Sequence, residues 1–254
     1  MEIRNQTETK AQLNIYGDIV SDEWSKWSDD DTCPTDISEF LKNLDGVSEI
    51  ELHINSGGGS VFAGIAIYNM LKRSKATVTT YIDGIAASIA SVIACAGDRV
   101  IIPKNGTFMI HKPTTSYFFE SLDADELRKD ADTLDHCQNS IIQPYMGKVK
   151  DGVTEQKIRD LVDEETWMSG SKAAEYFDFE VEEDVNAAAC ASDLFDFYKN
   201  TPESIKKQED SSISVDKIAD MVVKRLESKK QAEEQKKTEN MKKEILEDLD
   251  MYGI

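Results

Sequence analysis

The sequence predicts an α/β domain, because apolar strand patterns alternate with amphipathic helix patterns along most of the chain. Ile50, Leu52 and Ile54 alternate with polar residues, as in a strand with one buried face. A glycine run follows this strand, and a helix pattern over 61–73 follows the glycines. The order strand, tight loop, helix is typical of the units that build α/β domains.

The other predicted elements continue this alternation. Strands are predicted over 12–20, 77–82, 99–102 and 107–110. Helices are predicted from the Asp36-x-x-Glu39 capping pattern onward, and over 86–96, 123–150, 155–162 and 171–177. The 123–150 helix begins at a second capping pattern, Asp123-x-x-Glu126, and Pro144 is expected to kink it or end it early.

Composition excludes several classes of function. The chain has 254 residues, with 49 acidic and 29 basic side chains and a net charge of −20. Such a surface repels phosphate backbones, so we expect no nucleic-acid partner. No stretch reaches the ~18–20 apolar residues of a membrane helix, and the N-terminus lacks an apolar signal region. Cys33, Cys95, Cys137 and Cys190 show no metal-ligand spacing. These features predict a reduced, cytoplasmic protein without a membrane partner.

The composition changes near residue 195, which predicts a domain over 1–195 and a charged tail over 196–254. The tail carries two short apolar stripes at helical spacing, Ile218–Leu226 and Met241–Leu249, separated by a polar stretch. Two interpretations stay open. The tail is either a helical extension that needs a partner to bury its stripes, or a disordered segment of helix-prone composition.

Ser88 is the candidate nucleophile, in the segment Asp83-Gly-Ile-Ala-Ala-Ser-Ile-Ala-Ser91. It follows a predicted strand and lies just inside a predicted helix, where the helix dipole favours developing negative charge. Small alanine neighbours leave room for a substrate backbone. The segment is not the GxSxG elbow of the α/β-hydrolases. Taken alone, a serine in an alanine-rich helix more commonly serves packing.

His111 is the candidate base, in the segment Phe108-Met-Ile-His-Lys-Pro113. It ends an apolar strand, and the proline turns the chain away directly after it. An unperturbed pKa of roughly 6.5 suits proton transfer at neutral pH. The alternative for a lone histidine here is a satisfied residue at a sheet edge.

The glycine run Ile54-Asn-Ser-Gly-Gly-Gly-Ser60 is a candidate source of backbone donors. Glycines let several N–H groups converge on one point, as an oxyanion hole requires. A phosphate-binding loop is the alternative, but the Gly-Lys-Ser/Thr ending is missing. With Ser88 and His111, the run completes the parts of an acyl-transfer site, which predicts a serine hydrolase.

A carboxylate would orient the histidine and stabilise its protonated form. The segment Asp163-Glu-Glu-Thr-Trp-Met-Ser169 offers three. The pattern does not choose among Asp163, Glu164 and Glu165, and a solvated acidic helix end is the alternative interpretation.

In this order and spacing, the motifs over residues 12 to about 185 resemble the Clp protease proteolytic subunit, ClpP. The matching segments are 54–60 with Ala63-Gly64, Gly84-Ile-Ala-Ala-Ser88, Met109-Ile-His-Lys-Pro113, Thr166-Trp-Met-Ser169 and Lys172-Ala-Ala-Glu-Tyr176. The resemblance covers about two thirds of the chain. It implies the ClpP/crotonase-type superhelix of ββα units.

The resemblance also implies roles for single residues. Ser88 would be the nucleophile of a serine endopeptidase and His111 its general base. The family usually has an aspartate two residues before the aromatic of the fourth motif, and Glu165 stands at that position. The N–H groups of Gly58 and Ile89 would form the oxyanion hole. No metal or organic cofactor is implied.

The family assembles into stacked seven-membered rings, so the resemblance implies a homo-oligomer, a heptamer paired as a tetradecamer, acting on protein or peptide substrates. The helix near 123–150 would join the rings. Only about a dozen residues precede the first predicted strand, and the charged tail is unusual. Both features look more like the ClpP-like proteases of phage head maturation, which process scaffold and capsid proteins. A housekeeping subunit that works with a Clp ATPase is the alternative.

Two other classes stay open. A crotonase-like acyl-CoA enzyme shares the fold and a glycine-based oxyanion hole, but it needs no serine–histidine pair. Binding of acyl-CoA would favour it. The other is a catalytically silent scaffold component of an oligomeric shell, whose tail carries the function. Peptide cleavage by the domain would argue against it.

Overall fold

One mixed β-sheet with helices packed on it forms the domain. The computed structural model describes residues 9–44, 46–117, 121–183, 190, 192–203 and 205. Within them the strands are β1 (Lys10–Ile15), β2 (Glu49–Ser56), β3 (Thr77–Ala87), β4 (Arg99–Pro103), β5 (Thr107–Ile110), β6 (Thr166–Ser169) and β7 (Glu180–Glu182). The helices are α1 (Pro34–Lys42), α2 (Val61–Lys72), α3 (Ile89–Ala94), α4 (Ala124–Met146), α5 (Glu155–Asp163) and α6 (Gly170–Tyr176).

The path of β3 through the sheet positions the site. The strands run parallel in the order β1-β2-β3-β4-β7. Residues 79–81 of β3 pair with β4, whereas residues 85–87 pair with β5. β5 also pairs with β6, which runs antiparallel to it. β3 therefore leaves one neighbour for another near its end, and the residues that follow β3 and β5 come out side by side.

The core lies between the sheet and the helices. Leu13, Leu52 and Ile82 alternate with more exposed residues along their strands, and all three are buried. All six residues of α3 are buried as well. A helix that is apolar on every side must lie inside the fold. The predicted α/β class and the strand–helix order are confirmed.

Two predicted boundaries near the start of the domain differ from the structure. β1 ends at Ile15, because Gly17 turns the chain and donates its N–H to the carbonyl of Asp30. α1 begins at Pro34, not after Asp36, because a proline fits the first helical position. Asp36 is the third residue of this helix, and its carboxylate accepts the backbone N–H of Cys33.

The long helix α4 follows its prediction closely. Asp123 and Glu126 form the expected capping box. Pro144 stands in the final turn, and the helix ends at Met146, before residue 150.

The described residues fall within a compact unit that extends to residue 206. No described helix is both long and apolar enough to cross a bilayer. The two apolar stripes predicted for the tail lie outside the described residues, so their structure stays a prediction.

Candidate active site

Ser88 stands at the sharp turn between β3 and α3. The prediction placed it inside a helix, but β3 continues to Ala87 and α3 begins at Ile89. Its φ of 55° and ψ of −128° lie outside the ordinary regions for a side chain-bearing residue. This strand–turn–helix geometry resembles the nucleophile elbow of other hydrolases, although the GxSxG sequence is absent. Such strain is typical of functional positions.

A buried hydrogen-bond chain supports the backbone at Ser88. The hydroxyl of Ser91 donates to the carbonyl of Ser88 at 2.5 Å. Because that proton is used, the hydroxyl of Tyr145, 2.7 Å from Ser91 Oγ, is the donor in the second bond. Tyr145 belongs to α4 and is fully buried, and burial raises the pKa of its phenol. The chain ties the elbow to the long helix.

His111 directly follows β5 and faces the serine. Its Nε2 lies 2.7 Å from Ser88 Oγ, within hydrogen-bond distance. Burial lowers the pKa of His111, because the imidazolium loses hydration. The charge of Glu165 raises this pKa and that of Lys199 lowers it. The net effect favours the neutral imidazole, the form that accepts a proton.

Glu165 is the carboxylate that lies beside His111. It is buried, and its Oε2 is 4.0 Å from His111 Nδ1. Asp163 is exposed and pairs with Lys112 at 3.1 Å. Glu164 is exposed as well. Of the three carboxylates among which the sequence pattern could not choose, Glu165 is thus the one that is buried beside His111.

The strand β6, which the sequence analysis missed, brings Glu165 to this place. Thr166 opens β6 and pairs with Ile110 at the end of β5. Because the two strands are antiparallel, the residues just beyond this pair, Glu165 and His111, lie opposite each other. Among the described non-glycine residues, only Ser88 and Glu165 have a positive φ, at 55° and 51°.

The glycine loop lies against the serine. Gly58 has a φ of +108°, and a Cβ built on it would lie 2.7 Å from Ser88 Cβ. Its N–H donates to Ser56 Oγ at 3.2 Å in this structure. Ile89, the other predicted oxyanion donor, is the first residue of α3 and directly follows Ser88. Both predicted donors therefore adjoin the nucleophile.

The sequence analysis also missed residues 192–203, called the distal segment below. The ring of Tyr198 packs edge-on against that of His111, with centroids 4.8 Å apart. The backbone N–H groups of Lys199 and Asn200 donate to the carboxylate of Glu165. Composition assigned residues 196–203 to the tail. Three aromatic residues fall within Leu194-Phe-Asp-Phe-Tyr198. This apolar run could have indicated that the stretch packs on the domain.

Little space is left at the site. A cavity of about 10 Å³ adjoins Ser88 and His111. Its walls are apolar apart from these two residues: Val61, Ile89, Val92, Pro113 and Ile141. A cavity of about 530 Å³ lies elsewhere, at the ends of α1 and α2, and none of the site residues lines it.

One described cluster has metal-ligand chemistry. Ligand atoms of Glu23, Cys33 and Asp36 lie within 4.8 Å of one another. Lys26 already bonds both carboxylates, at 3.1 Å and 2.7 Å. Burial also raises the pKa of the Cys33 thiol, which keeps it protonated. An ion would have to displace the ammonium group, so the cluster fits an ion-pair network better than a metal site.

A serine bonded to a histidine, with a carboxylate behind it, is the arrangement that serine hydrolases use. The family model for the Clp protease matches residues 30–177, more than half of the chain. The chain therefore belongs to the Clp protease family and is a serine peptidase. The Clp protease family that the sequence motifs predict is therefore confirmed.

Similar proteins of known family support this assignment. The ATP-dependent Clp protease proteolytic subunit of Bacteroides fragilis is 30% identical over 174 residues, which cover 65% of this chain and 81% of the relative. The subunit of the same name from Streptococcus pneumoniae is 32% identical over 148 residues, covering 54% and 69%. The solved structure of a ClpP1 variant from Listeria monocytogenes superposes with a TM-score of 0.55 at 25% identity, covering 69% of this chain and 93% of that one. The predicted ClpP-type fold is confirmed.

Proposed function

We propose that this chain is an endopeptidase in which Ser88 is the nucleophile and His111 the general base. The observation that carries the proposal is the 2.7 Å contact between Ser88 Oγ and His111 Nε2. A serine hydroxyl is a weak nucleophile unless an adjacent base takes its proton. The lowered pKa of His111 supports this role, because it keeps the imidazole neutral near pH 7.

The reaction follows from these positions. Ser88 Oγ attacks the carbonyl carbon of the scissile peptide while its proton passes to His111 Nε2. The tetrahedral intermediate collapses as His111 gives this proton to the leaving amine, and an acyl-enzyme remains. Water then attacks the ester with His111 again as base, which releases the second product and restores Ser88.

Three further groups support the charges that develop. Gly58 and Ile89 are the proposed oxyanion donors, since both adjoin Ser88. The Gly58 N–H must turn from Ser56 Oγ toward the substrate to act. Glu165 is the proposed partner of His111 Nδ1, which holds the tautomer and stabilises the imidazolium.

The substrates we propose are proteins or peptides with an apolar side chain next to the cleaved bond. The side chains beside Ser88, among them Val61, Val92 and Ile141, are apolar. An apolar wall of this kind binds an aliphatic or aromatic side chain by removing both surfaces from water.

We further propose self-association into stacked heptamers, as the family resemblance implies. One exposed apolar side chain on α4 supports a partner there, since Leu127 is 50% exposed. The unusual charged tail supports processing of phage scaffold or capsid proteins. The names of the curated relatives support the alternative, dependence on a Clp ATPase.

Cleavage assays with the full chain test these proposals. We expect the wild type to cleave short fluorogenic peptides with an aliphatic residue at the cleaved bond, and light scattering to show a ring-sized particle. The Ser88→Ala variant should keep the particle and lose cleavage. Ser140→Ala, an exposed serine on α4, is the matched control. Cleavage retained in Ser88→Ala would reject the mechanism.

A second assay separates the two biological settings. An unfolded protein substrate is offered with and without a Clp ATPase and ATP. Cleavage without the ATPase supports the head-maturation proposal. Cleavage that requires it supports the housekeeping alternative.

A further inference from the structure

The distal segment lies across the catalytic residues, and we propose that it is an intramolecular cover that lowers the basal activity of the protease. It occupies the space of a peptide substrate and must leave before cleavage. The inference rests on the proposed function, because it assigns a regulatory element to that same site. Three groups of contacts carry it.

The first contact is with the serine–histidine pair. The ring of Tyr198 packs edge-on against His111, and its hydroxyl group also interacts with Ser88. Burial raises the pKa of this phenol, so it stays protonated and neutral. A scissile peptide must approach Ser88 Oγ closely, and Tyr198 stands in the way.

The second contact is with Glu165. Its Oε1 accepts the N–H of Asn200 at 2.6 Å, and its Oε2 accepts the N–H of Lys199 at 3.0 Å. Oε2 is then 4.0 Å from His111 Nδ1, which is too long for a hydrogen bond. The distal segment therefore competes with His111 for this carboxylate. As a result, the hydrogen bond between Glu165 and His111 is not formed.

The third contact is with the glycine loop. The Tyr198 hydroxyl donates to the carbonyl of Gly57 at 2.6 Å. In a planar trans peptide, the carbonyl and the next N–H point in opposite directions. Holding Gly57 O therefore fixes the direction of the Gly58 N–H, which donates to Ser56 Oγ. One side chain thus constrains a proposed oxyanion donor as well as His111.

The cavity beside Ser88 is small, and the residues that line it come from other parts of the domain. A cavity of about 10 Å³ adjoins Ser88, which is close to the least that holds one water molecule. A substrate side chain does not fit into this volume. Cleavage therefore requires movement at the site, where the distal segment contacts His111, Glu165 and the glycine loop.

The segment is anchored outside the main core of the domain. Phe195 packs in a small cluster with Ile85 and Met109, apart from the main core. Thr201 holds the segment's own fold by donating to the carbonyl of Phe195 at 2.7 Å. Several of its other residues are exposed, including Phe197 at 67%. Release of the segment would therefore expose this small cluster and leave the main core packed.

Full-chain variants test the cover. Tyr198→Ala combined with Thr201→Ala removes the contact with the site and the bond that shapes the segment. Thr201→Ala alone loosens the segment without altering any side chain at the site. Phe197→Ala is the matched control, since its ring is exposed on the same segment.

Hydrogen exchange of the amides over 192–203 reports release of the segment independently of catalysis. The rate of fluorophosphonate labelling at Ser88 reports access to the serine.

We expect the double variant to exchange faster over 192–203 and to label at least about tenfold faster than the wild type, because a covered state lowers the apparent rate by its population. Thr201→Ala should lie between the two, and Phe197→Ala should match the wild type. Faster exchange with unchanged or slower labelling at Ser88 would overturn the cover and leave the protease mechanism standing. Faster exchange with no labelling in any variant would overturn both.

Discussion

Glu165 Oε2 and His111 Nδ1 are 4.0 Å apart, whereas the other nitrogen of the same imidazole lies 2.7 Å from Ser88 Oγ. The serine–histidine link is therefore made and the histidine–carboxylate link is not. The Glu165 carboxylate instead accepts N–H groups from Lys199 and Asn200. Loss of those two donors would free acceptor positions on Glu165 for His111 Nδ1. This relationship connects the proposed mechanism to the proposed cover.

Replacement of Glu165 tests its role as the carboxylate partner of His111. We expect Glu165→Gln to lower kcat/KM for a peptide by more than about tenfold, since it removes the charge that stabilises the imidazolium. Asp163→Asn and Glu164→Gln are matched controls, because both carboxylates are exposed and lie one or two positions away. If either control loses activity and Glu165→Gln keeps it, the assignment is wrong.

The pH dependence tests the environment of His111. Burial lowers the pKa of His111. The apparent pKa of the acid limb in the pH profile of kcat/KM should therefore lie below the ordinary histidine value of roughly 6.5. Lys199 also lowers this pKa, so Lys199→Gln should move the limb to higher pH. Lys172→Gln, which removes a surface charge paired with Glu175, should leave it in place. A limb that moves to lower pH in Lys199→Gln would contradict the sign of this interaction.

The glycine loop gives a prediction with a close control. Gly58→Ala places a Cβ 2.7 Å from Ser88 Cβ, so the loop must shift and displace the Gly58 N–H. We expect activity to fall by at least about a hundredfold, the size of effect seen when an oxyanion donor is lost. Gly152 also has a positive φ, at +89°, but no atom lies within 4 Å of its Cβ position. Gly152→Ala should cost stability in urea unfolding and keep peptide cleavage. Equal activity losses in the two variants would assign the effect to backbone strain alone.

The support beneath Ser88 predicts a stability effect. Tyr145→Phe leaves the Ser91 hydroxyl without its buried donor, which should lower the free energy of unfolding by about 1–3 kcal/mol. Urea unfolding measures this change. In a double-mutant cycle with Ser91→Ala, the two effects should be strongly non-additive. Additive effects would show that the two hydroxyls are not coupled.

Sequence motifs predicted the fold and brought Ser88 and His111 together, and the structure places these two side chains 2.7 Å apart. Apolar alternation predicts β2, and the segments around Ser88 and His111 are specific in their order and spacing. The patterns missed β6 because this strand is only four residues long. Periodicity could not choose Glu165 over its neighbours, since the antiparallel pairing of β6 with β5 makes that choice. The contacts of Tyr198 depend on tertiary packing across the chain, which no local pattern contains.

Fluorophosphonate labelling of the assembled full-length protein, with the modified peptide mapped by mass, tests the central claim that Ser88 is an activated nucleophile. The account predicts modification at Ser88 that is lost in the His111→Ala variant. Absence of labelling at Ser88 in a folded, assembled sample, even after the distal segment is released by Tyr198→Ala and Thr201→Ala, would contradict it and favour a catalytically silent scaffold component.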